Sequence, residues 1–170
     1  VRRDLTDDRT LTCGVGGLKL HQLDQAIDAA EQKCGRPINL LAIDYLGLLD
    51  TSDLGKALYE QVSRAARELK NLAKRRDIVV ISLCQVSRAN GEDGSKPLNV
   101  YSARESGAIE ESADFLLGLY RPELHGGDNT ITVQILKNRK GQDGVEFSYR
   151  FEKRSLQINP PKPVIAKHAY

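Results

Sequence analysis

The chain has 170 residues, 40% of them hydrophobic and 28% charged, with a net charge of +2. This length suits one domain that buries roughly 70% of its unfolded surface. So weak a charge excludes a whole-surface field for nucleic acid, and any phosphate site must be a local cluster. No apolar run approaches the roughly 18–20 residues that cross a bilayer, and Val1-Arg2-Arg3-Asp4 has no apolar stretch behind it of the kind a secretory signal carries.

Cys13, Cys34 and Cys84 are far apart, odd in number and without metal-ligand spacing, which points to a reducing compartment, the cytoplasm by default. A start at Val rather than Met hints at a fragment or a trimmed terminus. Residues 1–17, charged and then Gly-rich, read as a loop or frayed edge. Between Leu18 and Cys34, Leu20, Leu23, Ile27 and Ala30 follow the spacing of an amphipathic helix, stopped by Gly35 and Pro37. Ile38 to Ile43 is a continuous apolar run ending in Asp44 and predicts a strand buried on both faces.

Ser52 and Asp53 are candidate caps for a long helix to about Arg76, with Leu54, Leu58, Val62, Ala65, Leu69 and Leu72 as its inner stripe. Ile78 to Cys84 is a second buried strand, rich in β-branched residues. Arg88 to Val100 reads as a polar loop, and a short helix near Ser106 to Ser112 leads to a strand at Phe115–Tyr120. After a turn at 124–129, Thr130 to Leu136 and Val145 to Phe151 form a hairpin, with Val145, Phe147, Tyr149 and Phe151 on one face of its second strand. Residues 153–170, with Pro160, Pro161 and Pro163, read as an extended tail. The order predicts an α/β fold in residues 18–152: a mostly parallel sheet flanked by helices, with the antiparallel hairpin at its C-terminal edge.

In open α/β sheets ligands gather at the carboxyl ends of the strands, where Asp44 and Gln85 stand. A carboxylate at such a strand end can hold the water shell of Mg²⁺ beside a nucleoside triphosphate; an ordinary turn-capping Asp is the competing reading. Gln85 can direct an amide at a γ-phosphate or its attacking water, or be a polar residue where a strand meets solvent. Lys137 and Arg139 alternate along the hairpin strand and so project to one side, a pair able to reach a neighbouring subunit or a solvated basic edge. Arg104, Glu105 and Gly107 suit backbone contacts to a single strand's phosphates, against the plain alternative of a solvated helix-start loop. With aromatic residues at 5%, base stacking is a poor main source of affinity. A P-loop, GxxxxGK followed by Ser or Thr, is missing: Gly14-Val15-Gly16-Gly17 lacks the Lys, and Gly55-Lys56 is followed by Ala57.

The succession Asp44-Tyr45-Leu46, Gln85-Val86-Ser87-Arg88, RESGAIE (Arg104 to Glu110) with Ala113-Asp114, and Lys137-Asn138-Arg139-Lys140-Gly141 resembles replicative hexameric helicases of the DnaB type. The resemblance spans roughly Leu18 to Phe151. It implies a RecA-like motor that uses ATP and Mg²⁺ to translocate on and unwind DNA as a ring of identical subunits. Asp44 would be the Walker B carboxylate on Mg²⁺, Gln85 the γ-phosphate sensor, and Arg104, Glu105 and Gly107 the loop on single-stranded DNA. Lys137 and Arg139 would be the fingers offered to the next subunit. Primase or a helicase loader would be further partners, and no membrane is involved. Gly47, Cys84 and Lys140 depart from the family's usual Gln, Ser and Asn, and the family's P-loop and catalytic Glu lie upstream of the matching region. The expected function is therefore the carboxyl-terminal part of a replicative helicase motor, inactive by itself. The alternatives are a hydrolysis-deficient RecA-like module that holds single-stranded DNA or docks on a helicase ring, and a recombinase or clock-type ATPase on the same core.

Overall fold

The computed structural model describes residues 10–14, 16–55, 57–86, 95–98, 107–122 and 129–159. They fall into two compact units: residues 1–85 with 107–112, and residues 86–106 with 113–170.

The first unit is α/β. Helix α1 (Gln22–Cys34) turns Leu23 and Ile27 inward, and the Gln22 side chain reaches back to accept the Lys19 N–H at 2.9 Å. It ends at Gly35, whose φ of 66° lets its N–H reach Glu31 O at 2.8 Å. Strand β1 (Leu40–Ile43) pairs in parallel with β2 (Val79–Ser82), Ile43 opposite Ser82. Between them runs α2 (Leu58–Arg76). Leu23, Ile27, Ile43, Leu46, Ala65, Leu69 and Leu72 form the core, with Leu41, Val62 and Val80 packed against it. Arg76 closes the α1–α2 pair from outside: its Nε and Nη1 donate at 2.6 Å to Asp24 and Asp28, while Arg75 donates to Asp24 at 2.6 Å. Those two guanidinium donors hold the Asp24 carboxyl below its ordinary range.

Two expectations are corrected here. The predicted caps Ser52 and Asp53 do not start α2. Residues Ser52–Leu54 form a 3-10 turn, and the Ser52 N–H and hydroxyl both donate to Asp50 Oδ1, at 3.0 and 2.6 Å. An Asp that captures its neighbour two residues on builds its own turn and takes Ser52 away from capping. It also lowers the Asp50 pKa, the hydroxyl bond being the larger cause. The helix starts only at Leu58, with Leu58 and Tyr59 exposed. The second correction concerns the strands. Only one face of the β1–β2 pair is covered: Leu41, Ile43 and Val80 face the helices, whereas Leu40, Ala42, Val79 and Ile81 remain exposed.

The second unit is antiparallel, in the order β3 (Phe115–Tyr120), β4 (Thr130–Asn138), β5 (Glu146–Glu152), β6 (Gln157–Asn159). The predicted hairpin is present as β4 and β5, and β6 occupies the start of the segment expected to be a tail. One face is closed and carries both polar and apolar groups, Tyr120 and Leu136 beside Thr132 and Gln134. Thr132 is 2% exposed, its hydroxyl 3.4 Å from that of Ser148. Gln134 Oε1 accepts the Leu98 N–H at 2.9 Å, and Leu98 lies so close over Gly118 that a Cβ there would sit 3.2 Å from it. Tyr120 donates to Glu146 at 3.3 Å; burial first, then the Glu146 charge, pushes its phenol pKa up. The other face carries Leu117, Leu119, Val133, Ile135 and Phe147, in register across three strands.

Candidate nucleotide and DNA site

Parallel pairing puts the carboxyl ends of β1 and β2 side by side. Asp44 is the first residue beyond β1 and is exposed. Past the strands the two chains stay tied together: Leu83 N–H donates to Ile43 O at 3.0 Å and Leu46 N–H to Leu83 O at 2.8 Å. Gln85, also exposed, follows two residues after that tie. An acid and an amide thus stand at one end of one sheet. Cys84 lies between the tie and Gln85; desolvation raises its thiol pKa, although the residue as a whole keeps an exposed surface.

The turn after Asp44 is built tightly. The Asp44–Tyr45 peptide is cis, Leu46 is buried, and the Tyr45 ring lies 2.7 Å from where a Cβ of residue 47 would be. Gly47 is therefore the residue that lets Tyr45 fold over its own turn.

Lys137 and Arg139 belong to the second unit. Lys137 pairs with Leu116 near the end of β4. Arg139 is not on the strand as expected: β4 ends at Asn138 and Arg139 opens the turn that follows. A bulge opposite Leu116/Leu117 adds one residue before Lys137, and beyond it Lys137 and Asn138 pair regularly with Leu116 and Phe115. Arg139 is held twice by Asp114, through its N–H to Asp114 O at 2.9 Å and its guanidinium to Asp114 Oδ1 at 3.1 Å. Asn138 braces the turn by accepting the Lys140 N–H and donating to Gln142 O, both at 3.3 Å. Asp114 and Asn138 hold Arg139 and its turn, roles that the sequence motifs containing them do not reveal. Their signal is the antiparallel register, which sets Phe115 against Asn138 and thus Asp114 against Arg139.

Gly107 is the exposed first residue of α3 (Gly107–Ser112), with nothing within 4 Å of a Cβ placed on it. Arg104 and Glu105 lie outside the described residues. Among the described residues no three His, Cys, Asp or Glu side chains gather as a metal cage. A lone exposed carboxylate at a strand end fits Mg²⁺ held through water and shared with phosphate oxygens, the usual mode for that ion. Among the described residues no helix is long and apolar enough to cross a membrane.

Residues 6–159 match the family described as DnaB-like helicase C terminal domain. The chain is 32% identical to the replicative DNA helicase DnaC of Bacillus subtilis (strain 168) over 133 residues, 75% of this chain but 29% of that protein. Its fold matches a solved ATPase domain with a TM-score of 0.76 at 29% identity, covering 86% of this chain and 52% of that one. It also matches a DnaB-like replicative helicase, whose structure is described with its interactions with primase, with a TM-score of 0.74 at 29% identity, over 84% of this chain and 36% of that one. The α/β fold is thus RecA-like, and the chain spans less than a third of the B. subtilis relative it matches.

Proposed function

The chain belongs to the DnaB-like helicase C-terminal domain family, and from that premise we propose that it works as the carboxyl-terminal part of an ATP-driven motor that moves on DNA as a ring and unwinds it. The observation that supports this most is the placing of Asp44 and Gln85 beyond the carboxyl ends of one parallel strand pair, where α/β sheets collect ligands. In this reading Asp44 holds Mg²⁺ through water and Gln85 faces the γ-phosphate. Lys137 and Arg139 serve the nucleotide of the next subunit, with Asp114 setting the direction of Arg139. Arg104, Glu105 and Gly107 belong to the loop that follows single-stranded DNA.

ATP, with Mg²⁺, supplies the phosphoryl group whose transfer drives movement. What this chain adds is charge and orientation around it: a carboxylate and an amide from one subunit and two cations from another. A replication role would place it in the cytoplasm with identical subunits in a hexameric ring, and primase or a loader as further partners. By itself the chain would not hydrolyse ATP, for want of a phosphate-cradling loop. In the ATP-hydrolysing form of the protein, Arg139→Ala should lower DNA-stimulated turnover by about 10³-fold or more while nucleotide binding stays within a few fold. Unchanged turnover would reject the assignment.

A further inference from the structure

Helices α1 and α2 leave a crevice on their outer side. It lies between the start of α1, the 3-10 turn at Ser52–Leu54 and the second half of α2, and has a volume of about 270 Å³. Its walls are apolar: Leu20 and Leu54, half-buried, stand beside the buried Leu69 and Leu72. Its rim is acidic. Asp24 is already held by Arg75 and Arg76. Asp53, by contrast, has among the described residues only a long contact of 3.9 Å with Lys19, and Glu68 has no ion pair among them. The volume falls just under the roughly 300–1,000 Å³ of small-molecule sites, so the crevice suits one or two side chains. The occupant that fits is an apolar side chain flanked by cations, an apolar anchor inside a charged rim.

The same chain carries such an element. Strands β5 and β6 are joined by Lys153, Arg154, Ser155 and Leu156, all exposed. Leu156 is 74% exposed, more than any other large apolar side chain among the described residues. A single exposed leucine needs no explanation. This one, however, has a φ of 55°, in the left-handed region where Gly or Asn is at ease and a bulky side chain is strained. Lys153 and Arg154 precede it and form no ion pair among the described residues. We propose that the Lys153–Leu156 turn of one copy docks in the α1–α2 crevice of a neighbouring copy. Leu156 enters between Leu20, Leu54 and Leu69, while Lys153 and Arg154 meet Asp53 and Glu68. Each copy then gives one surface and receives on another, a head-to-tail contact of the kind that builds rings rather than closed pairs. The inference rests on the ring reading above and deepens it, but uses neither nucleotide nor DNA.

The test treats an equal mixture of isotope-labelled and unlabelled full chain with a carbodiimide, which joins amines to carboxylates without a spacer, and maps the linked peptides by mass spectrometry. Lys153 should be joined to Asp53 or Glu68, with labelled–unlabelled pairs among the products. Leu156→Gly suits the left-handed turn better than leucine and so does not act by unfolding it; it should lower the yield of these links at least tenfold. Arg154→Glu, which leaves the Lys153 amine in place, should lower it several fold, and Glu68→Arg added to Arg154→Glu should recover part of the Lys153–Asp53 link. Links confined to single chains, no link from Lys153 to either acid, or a yield indifferent to Leu156→Gly would overturn the proposal. None of these readouts depends on ATP hydrolysis. A protein that assembles through another contact fails here and leaves the Arg139 test untouched, whereas unchanged turnover of Arg139→Ala removes the finger and leaves these links as they are.

Discussion

The two sheets of this protein cover their apolar side chains in different ways. In the β1–β2 pair both faces are apolar, and helices α1 and α2 cover one of them, so Ile43 and Val80 are withdrawn from water while Val79 and Ile81 are not. In the four-stranded sheet the closed face mixes the two kinds of group: Thr132 is buried against Ser148 and Leu98 is bonded to Gln134, beside the buried Tyr120 and a Leu136–Leu98 contact over Gly118. Its apolar face, with Leu117, Leu119 and Phe147, is the open one. Alternation along a strand thus shows that two faces differ, but what lies over each is decided by the rest of the fold. Both units keep apolar surface in reserve.

The strongest way to break this contrast is a pair of substitutions in the first unit. Leu69→Ala, in the covered core, should cost about 2–5 kcal/mol in urea unfolding followed by helix circular dichroism. Ile81→Lys, on the open face, should stay within about 0.5 kcal/mol. Similar losses at both positions would mean that the open face is packed in solution. Next in size, Gly47→Ala should destabilise the first unit by about 1–3 kcal/mol, since its new methyl must displace the Tyr45 ring. A neutral result would show that the ring moves aside freely.

The sequence is most legible where local chemistry and tertiary context agree. Phe115–Tyr120 can be read with its observed bounds, because an uncharged run of six between polar segments has few other fates. The stop at Gly35 is legible for a local reason too, the left-handed cap. The start of α2 is not: Ser52 offers the same atoms to a cap or to Asp50, and the sequence does not say which wins. Short strand β6 stays hidden because Gln157–Asn159 has no alternation to display over three residues. For the site, Asp44 and Gln85 can be placed on one sheet end from strand order alone. The tether of Arg139 to Asp114 cannot, since it depends on a register with a bulge between Leu116 and Leu117.

Smaller effects sharpen the difference between structural and functional ion pairs. Arg139 and Asp114 are each 47% exposed at the side chain, and so open a pair contributes little to stability. Asp114→Asn should therefore move Tm by no more than about 2 °C while lowering DNA-stimulated turnover in the ATP-hydrolysing protein, with Asp114→Glu restoring part of it. An equal effect on both readouts would make the pair merely structural. The Asp24 cluster should behave the other way. Its carboxyl pKa is depressed in the fold by Arg76 and Arg75, so its contribution is complete above the unfolded value near 3.9 and is lost as pH falls below it. Asp24→Asn should consequently lower Tm at pH 7, with a deficit that shrinks as pH falls through the depressed folded value. A deficit of the same size at every pH would remove the charge from the explanation.

In the proposed motor, Asp44 and Arg139 serve one nucleotide from two different subunits. This is tested most directly by mixing two inactive forms of the ATP-hydrolysing protein, Asp44→Asn and Arg139→Ala, and measuring DNA-stimulated ATP hydrolysis. In a mixed ring, an Arg139→Ala subunit keeps its acid and an Asp44→Asn neighbour keeps its finger, so intact sites form at their junctions and activity should return. Activity that stays at the level of the separate variants at every mixing ratio would contradict the shared site.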